Sequence, residues 1–225
     1  MQAVGTFTKE LWEAAFPLYQ QLISCRFVTE LAAGTLSKES FSHYLTQDIL
    51  YLKKDAEALG MVAARSQNDT NRDFFKRLEK DGLEVEFVLR DEYLKHFNLQ
   101  EARVQSKAFA DYSNFLLSHA QNSPIEVAYA ALLPCFWVYG AVANTIIQKN
   151  VSSNPYQKFI DTYTGDEYQY YTQKFIEIVE SNSVESEHKV QVKEAFVEAC
   201  KHELAVYEES YDIALNLIVK YENRP

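Results

Sequence analysis

Apolar residues recur along most of the chain at the three-to-four-residue spacing of a helix face. From Phe7 to Leu31 the stripe runs through Leu11, Ala14, Ala15, Leu18, Leu22 and Ile23, and Gly34 just beyond it is a stop signal. Ser37 predicts an N-cap for a helix from Lys38 to about Ser66, with Glu39 near its positive end. The polar run Gln67-Asn68-Asp69-Thr70 precedes a helix over about Asn71–His96, and a connector or short helix over 98–103 leads to another over about Ser106–Ala120. The sharpest start is Ser123-Pro124-Ile125-Glu126, with a capping serine, a proline at the first helical position and a glutamate three residues after the serine. That helix is expected to reach about Lys149, with Pro134 kinking it. Asn154-Pro155 opens the next, broken near Thr164-Gly165-Asp166 and resuming to about Ser181, and the last covers about Glu185–Tyr221. No strand pair, repeat or composition shift interrupts the pattern. It predicts one all-α domain over 1–225, a bundle of seven or eight helices.

Composition narrows the function classes. Six glycines and five prolines are too few for the turns of an all-β chain of 225 residues. The net charge of −10, from 22 basic and 32 acidic residues, weighs against nucleic acid and anionic membranes as partners. Val127–Ile147 carries no charge and is long enough to span a bilayer. It contains Pro134, Gly140, Asn144 and Thr145, and every other segment is amphipathic, so a buried central helix is expected. Cys25, Cys135 and Cys200 form no disulfide framework, Met1–Thr6 lacks a signal-peptide pattern, and a cytoplasmic location is expected.

Phosphate loops and serine nucleophile elbows are absent from the sequence. Glu185-x-x-His188 has the spacing of a di-metal carboxylate site, but it has no second copy and reads as a solvated surface pair. Three other places could carry chemistry. Asp48 and Tyr51 share a helix face; from pattern alone Asp48 reads as an exposed charge. Cys135 follows the Pro134 kink and shares a face with Tyr139; it is either an inert small hydrophobe or a thiol beside a pocket. Glu203, among Ala199, Leu204, Val206 and Tyr207, is either an exposed helix charge or a buried acid. Fifteen tyrosines suit a planar aromatic ligand, although most must serve packing.

Four segments, in order, resemble the TenA family, the thiaminase II or aminopyrimidine aminohydrolase group. They are Phe27-Val28-Thr29-Glu30-Leu31 with Gly34-Thr35-Leu36, Tyr44 to Lys53, Leu132 to Tyr139, and Tyr156 to Tyr163. The resemblance covers almost the whole chain. It implies a haem-oxygenase-like fold, commonly a homotetramer, and no metal or organic cofactor. By position, Cys135 resembles the family nucleophile, Glu203 its proton donor and Tyr51 the tyrosine that tunes the thiol. Asp48 resembles the residue that holds the pyrimidine's amino and ring nitrogens, Tyr112 an aromatic pocket wall, and Tyr139 and Tyr163 ligand-bonding groups. Three departures stand out: Val206 where an aromatic is usual, Cys25-Arg26 where His-Pro is common, and Gly140 where a larger residue is frequent. The implied activity is hydrolysis of an aminomethyl-pyrimidine or thiamine in thiamine salvage. Two alternatives are a non-catalytic pyrimidine-binding or regulatory protein, which Val206 favours, and a metal-dependent oxidase of the haem-oxygenase-like group, for which no ligand cluster can be assembled.

Overall fold

The structure, a computed structural model, describes residues 2–163 and 166–222, with side chains placed for 2–162 and 168–213. Eleven α-helical segments and no strand occur among the described residues. The excess over seven or eight arises where expected helices are broken.

The first stripe forms two helices, α1 (Thr6–Ser24) and α2 (Arg26–Ala33), instead of one. Cys25 between them is extended, and the Ser24 hydroxyl donates to the carbonyls of Gln20 at 2.7 Å and Gln21 at 3.1 Å. These contacts occupy acceptors that a helix end leaves open. Gly34 closes α2 at φ +70, a left-handed conformation that glycine adopts without a Cβ penalty. Ser37 caps α3 (Lys38–Arg65) by accepting from the Ser40 amide at 3.1 Å. Asn68 caps α4 (Asp69–Val88) in the same way at 3.0 Å, so this helix begins slightly before its expected start. A π turn at Leu89–Tyr93 leads into α5 (Leu94–Phe97), closed by Asn98 at φ 55.

After α6 (Lys107–Asn122), the apolar run is also two helices, α7 (Ile125–Leu132) and α8 (Pro134–Lys149). Pro134 has no N–H to return to Ala130, so it serves as the first residue of a new helix. The expected Ser123 capping box does not form: Pro124 is the N-cap, and the Ser123 hydroxyl lies 2.8 Å from His119 Nδ1. Next come α9 (Gln157–Ile160), a 3-10 turn at Asp161–Tyr163, α10 (Asp166–Ser183) and α11 (Lys189–Glu222).

Helix α3 packs against α4 and α6, and α11 packs against α7, α1 and α3. Every residue from Val127 to Pro134 is buried, so the uncharged stretch is the central wall of the core. Ile125–Lys149 is long and apolar enough to cross a bilayer, but most of its apolar length is covered by the other helices. Full burial of a leucine such as Leu11 or Leu22 contributes about 1.5–3 kcal/mol. That packing fixes the helix faces from which the polar groups below project.

Candidate active site

Four of these helices deliver polar side chains to one place. Asp48, Tyr51 and Asp55 recur at i, i+3 and i+7 on α3, which puts them on one face. Tyr112 comes from α6, Cys135 from the first turn of α8 and Glu203 from α11. Buried neighbours on the same helices, among them Leu45, Ile49 and Leu59 on α3, hold each backbone in place.

The thiol is at the centre. Cys135 Sγ lies 2.7 Å from the Tyr51 hydroxyl and 3.0 Å from the Tyr112 hydroxyl. Tyr112 in turn donates to Glu203 Oε1 at 2.8 Å. The Tyr51 and Tyr112 rings are 5.1 Å apart, and Tyr112 also stacks on His202 at 5.3 Å, which locks its orientation. Tyr112, Asp55 and Glu203 are buried. Cys135 and Asp48 lie deep in the protein yet keep part of their surface open, so space for solvent or a ligand adjoins each.

Burial sets the electrostatics. It pushes the Asp48 carboxyl from 3.8 up to about 7, helped by the Asp55 charge. It pushes Asp55 to about 7 as well, against the nearby Cys135 thiol, which lowers it. Glu203 rises from 4.5 to about 7 through burial, with the Tyr112 bond opposing and the charges of Asp48 and Asp55 adding. Burial holds the Cys135 thiol well above its ordinary value of 9.0; Asp55 and Glu203 push it further, and the two tyrosine hydroxyls pull it down. The resting sulfur is therefore a neutral thiol, surrounded by carboxyls that exchange protons near neutrality. Such a set can move protons in both directions around the sulfur.

The alternative of Asp48 and Glu203 as exposed charges is thus overturned by the packing. Tyr139 is half-buried one turn beyond Cys135 on α8, and the Tyr163 side chain lies outside the described residues. Val206 is buried on α11, and Gly140 lies inside an unbroken α8. His188 pairs with Glu126 at 2.8 Å, and Glu185 is not its partner. Among the described residues no group of three or more His, Cys, Asp or Glu is arranged to hold a metal ion.

Two site residues escaped the sequence reading. Asp55 had a usable signal, one turn beyond Tyr51 and two beyond Asp48 on the same face. Tyr168 of α10 had none: it donates to the Phe136 carbonyl at 2.7 Å, and its hydroxyl's pKa is raised by burial, then by Glu203 and Cys135.

An all-α protein of haem-oxygenase-like fold, with a thiol and carboxyls gathered at its centre, is the class these features define. The same fold is described for a domain from Shewanella denitrificans, similar at a TM-score of 0.74 and 12% identity, covering 94% of each chain. The model of the TENA/THI-4/PQQC family matches residues 12–213, and the chain belongs to that family. A TenA homologue from Pyrococcus furiosus is similar at a TM-score of 0.86, with 21% identity, covering 92% of this chain and 100% of that one. The aminopyrimidine aminohydrolase of Bacillus subtilis is 26% identical over 215 residues, 91% of this chain and 89% of that protein. The thiamine biosynthesis multifunctional protein ThiED of Corynebacterium glutamicum is 26% identical over 212 residues, 93% of this chain; the match spans 27% of that longer protein.

Proposed function

We propose that the chain is a hydrolase that cleaves the bond between the exocyclic CH₂ of a 4-amino-2-methylpyrimidine and its leaving group, giving the hydroxymethyl-pyrimidine. The observation that carries this reading is the Cys135 sulfur held by the Tyr51 and Tyr112 hydroxyls, with Tyr112 joined to Glu203. The similarity to an aminopyrimidine aminohydrolase along nearly the whole chain supports it.

Water displaces such a leaving group slowly, because the aromatic ring gives little push. Addition of the Cys135 sulfur to a ring carbon breaks the aromaticity, and the 4-amino nitrogen then expels the amine or thiazolium. Water adds at the CH₂, and loss of the sulfur restores the ring. Glu203 protonates ring N1 to make the carbon electrophilic, a role that suits a carboxyl raised to about 7. Asp48 orients the ring through its amino group, and Tyr51 donates to the sulfur as charge develops. A cysteine serves here because it is both a strong nucleophile and a good leaving group.

The test is direct. Purified protein is given the aminomethyl-pyrimidine and thiamine separately, and products are followed by mass spectrometry. Hydroxymethyl-pyrimidine from either supports the reading; tight binding with no product from both assigns a binding protein instead.

A further inference from the structure

We propose that Asp55 is the base that takes the proton from Cys135 as the sulfur attacks. The proposal rests on the hydrolase reading for its substrate, and not for the coupling between the two side chains.

Asp55 is 6% exposed, and its Oδ1 is buried without a hydrogen-bond partner. Leaving a buried polar atom unpaired is costly, and more so for a charged group. A carboxylate that must accept a proton needs a free oxygen of this kind. The thiol is the polar group beside this face of α3: the hydroxyl of Tyr51, one turn before Asp55, lies 2.7 Å from Sγ, and the thiol lowers the Asp55 pKa against burial. Among the three carboxyls, Asp55 acts on Cys135 most strongly, Glu203 follows, and Asp48 is not among the influences on the sulfur. Glu203 is already committed through Oε1 to Tyr112.

The groups around Asp55 leave it that role. The titratable groups that feel its charge are Asp48 and Tyr51 of α3, Cys135 of α8, Glu203 of α11 and Tyr168 of α10. Tyr112 of α6 completes the titratable set at the sulfur. The lysines next to it in sequence are engaged elsewhere: Lys53 with Glu86 at 3.2 Å and Lys54 with Glu57 at 2.8 Å. On α4, Glu86 also holds Arg90, and Gly82 faces Ala56. No cation lies among the groups that set the Asp55 pKa.

The step balances. The S–H bond breaks with its proton going to the Asp55 carboxylate, and the sulfur electron pair forms the bond to the ring carbon. The displaced C=N pair goes to N1, which takes the proton of Glu203. When the C–S bond breaks, its pair returns to sulfur, which takes back the proton from Asp55; the N1–H pair re-forms the C=N bond and that proton returns to Glu203.

The test is the rate of Cys135 alkylation by iodoacetamide as a function of pH, read by peptide mass spectrometry. A Cys135–Asp55 pair loses its first proton near neutrality, so the wild-type rate rises there, holds, and rises again when the thiol ionises outright. In Asp55→Asn the first rise disappears and the rate at neutral pH falls at least about tenfold; Asp55→Glu restores the rise. A bystander charge predicts the opposite sign. Removing it lowers the thiol pKa, so faster alkylation of Asp55→Asn at neutral pH overturns the proposal. A wild-type profile with one rise, at alkaline pH, overturns it without any variant. In turnover, kcat/KM of Asp55→Asn falls by about 10²–10⁴ and loses its acid limb. An unmoved acid limb refutes the base role and assigns the proton to the route from Cys135 through Tyr112 to Glu203. If wild-type protein turns over no pyrimidine, the hydrolase reading fails while the alkylation profile still decides the role of Asp55.

Discussion

Replacing Glu203 with glutamine should stabilise the protein, and only above a definite pH. The native carboxyl keeps its proton up to about 7, whereas the unfolded one loses it near its ordinary value of 4.5. Across that window the native state binds more protons than the unfolded state. Stability therefore falls as pH rises through the window. The penalty is absent below 4.5 and complete above about 7. At about 1.4 kcal/mol per pH unit it amounts to roughly 3 kcal/mol. Glutamine carries no charge, so it avoids the penalty, and its carbonyl oxygen can still accept the Tyr112 hydroxyl that Glu203 Oε1 accepts at 2.8 Å. Urea unfolding at a series of pH values reads the effect as a difference in midpoint at unchanged slope. The variant and the wild type should coincide at acid pH. They should separate by roughly 3 kcal/mol at pH 8, or about 6–12 °C in Tm for a chain of this size. A difference that is constant with pH, or a variant less stable at pH 8, would refute the burial argument. The gain in stability accompanies a loss of turnover, since the same carboxyl is the proposed acid.

Other outcomes follow from the same geometry. Cys135→Ser should lower turnover about 10³-fold or more while circular dichroism and Tm stay close to wild type, because the hydroxyl is isosteric and far less nucleophilic. Tyr112→Phe removes the bond that holds the Glu203 pKa down, so the limb on which kcat/KM falls with rising pH should move upward by about one pH unit, seen in a pH–rate profile. Asn154→Ala should destabilise by about 1–3 kcal/mol in a denaturant titration. The buried Asn154 amide donates to the Leu31 carbonyl at 2.6 Å at the end of α2 and accepts from the Tyr156 amide at 2.9 Å; its loss leaves the Tyr156 amide unpaired, while the Leu31 carbonyl keeps the Gly34 amide at 3.2 Å.

The legible part of the protein was local. Helix periodicity, the Ser37 cap and the Gly34 stop each depend on residues within a turn or two of one another, and the structure places all of them as the pattern predicts. The Pro134 interruption was legible for the same reason, since a missing N–H acts on the residue four before it. The motifs around Asp48, Tyr51 and Cys135 were visible as a resemblance, although the residues themselves left each role open.

What tertiary structure decided is everything that joins one helix to another. Glu180 of α10 caps α1, accepting from the Thr8 amide at 2.6 Å, and Glu209 of α11 caps α6, accepting from the Ala108 amide at 2.9 Å; neither is near its helix in sequence. The stripe through Cys25 predicts one continuous helix, because the pattern alone carries no sign of the break there. Asp48 and Glu203 looked like solvated charges on their own helices and became raised carboxyls only when other helices covered them. Asp55 and Tyr168 entered the site by the same route. A periodic pattern records which side of a helix is apolar, whereas desolvation depends on all the atoms around a group, and those come from the whole folded chain.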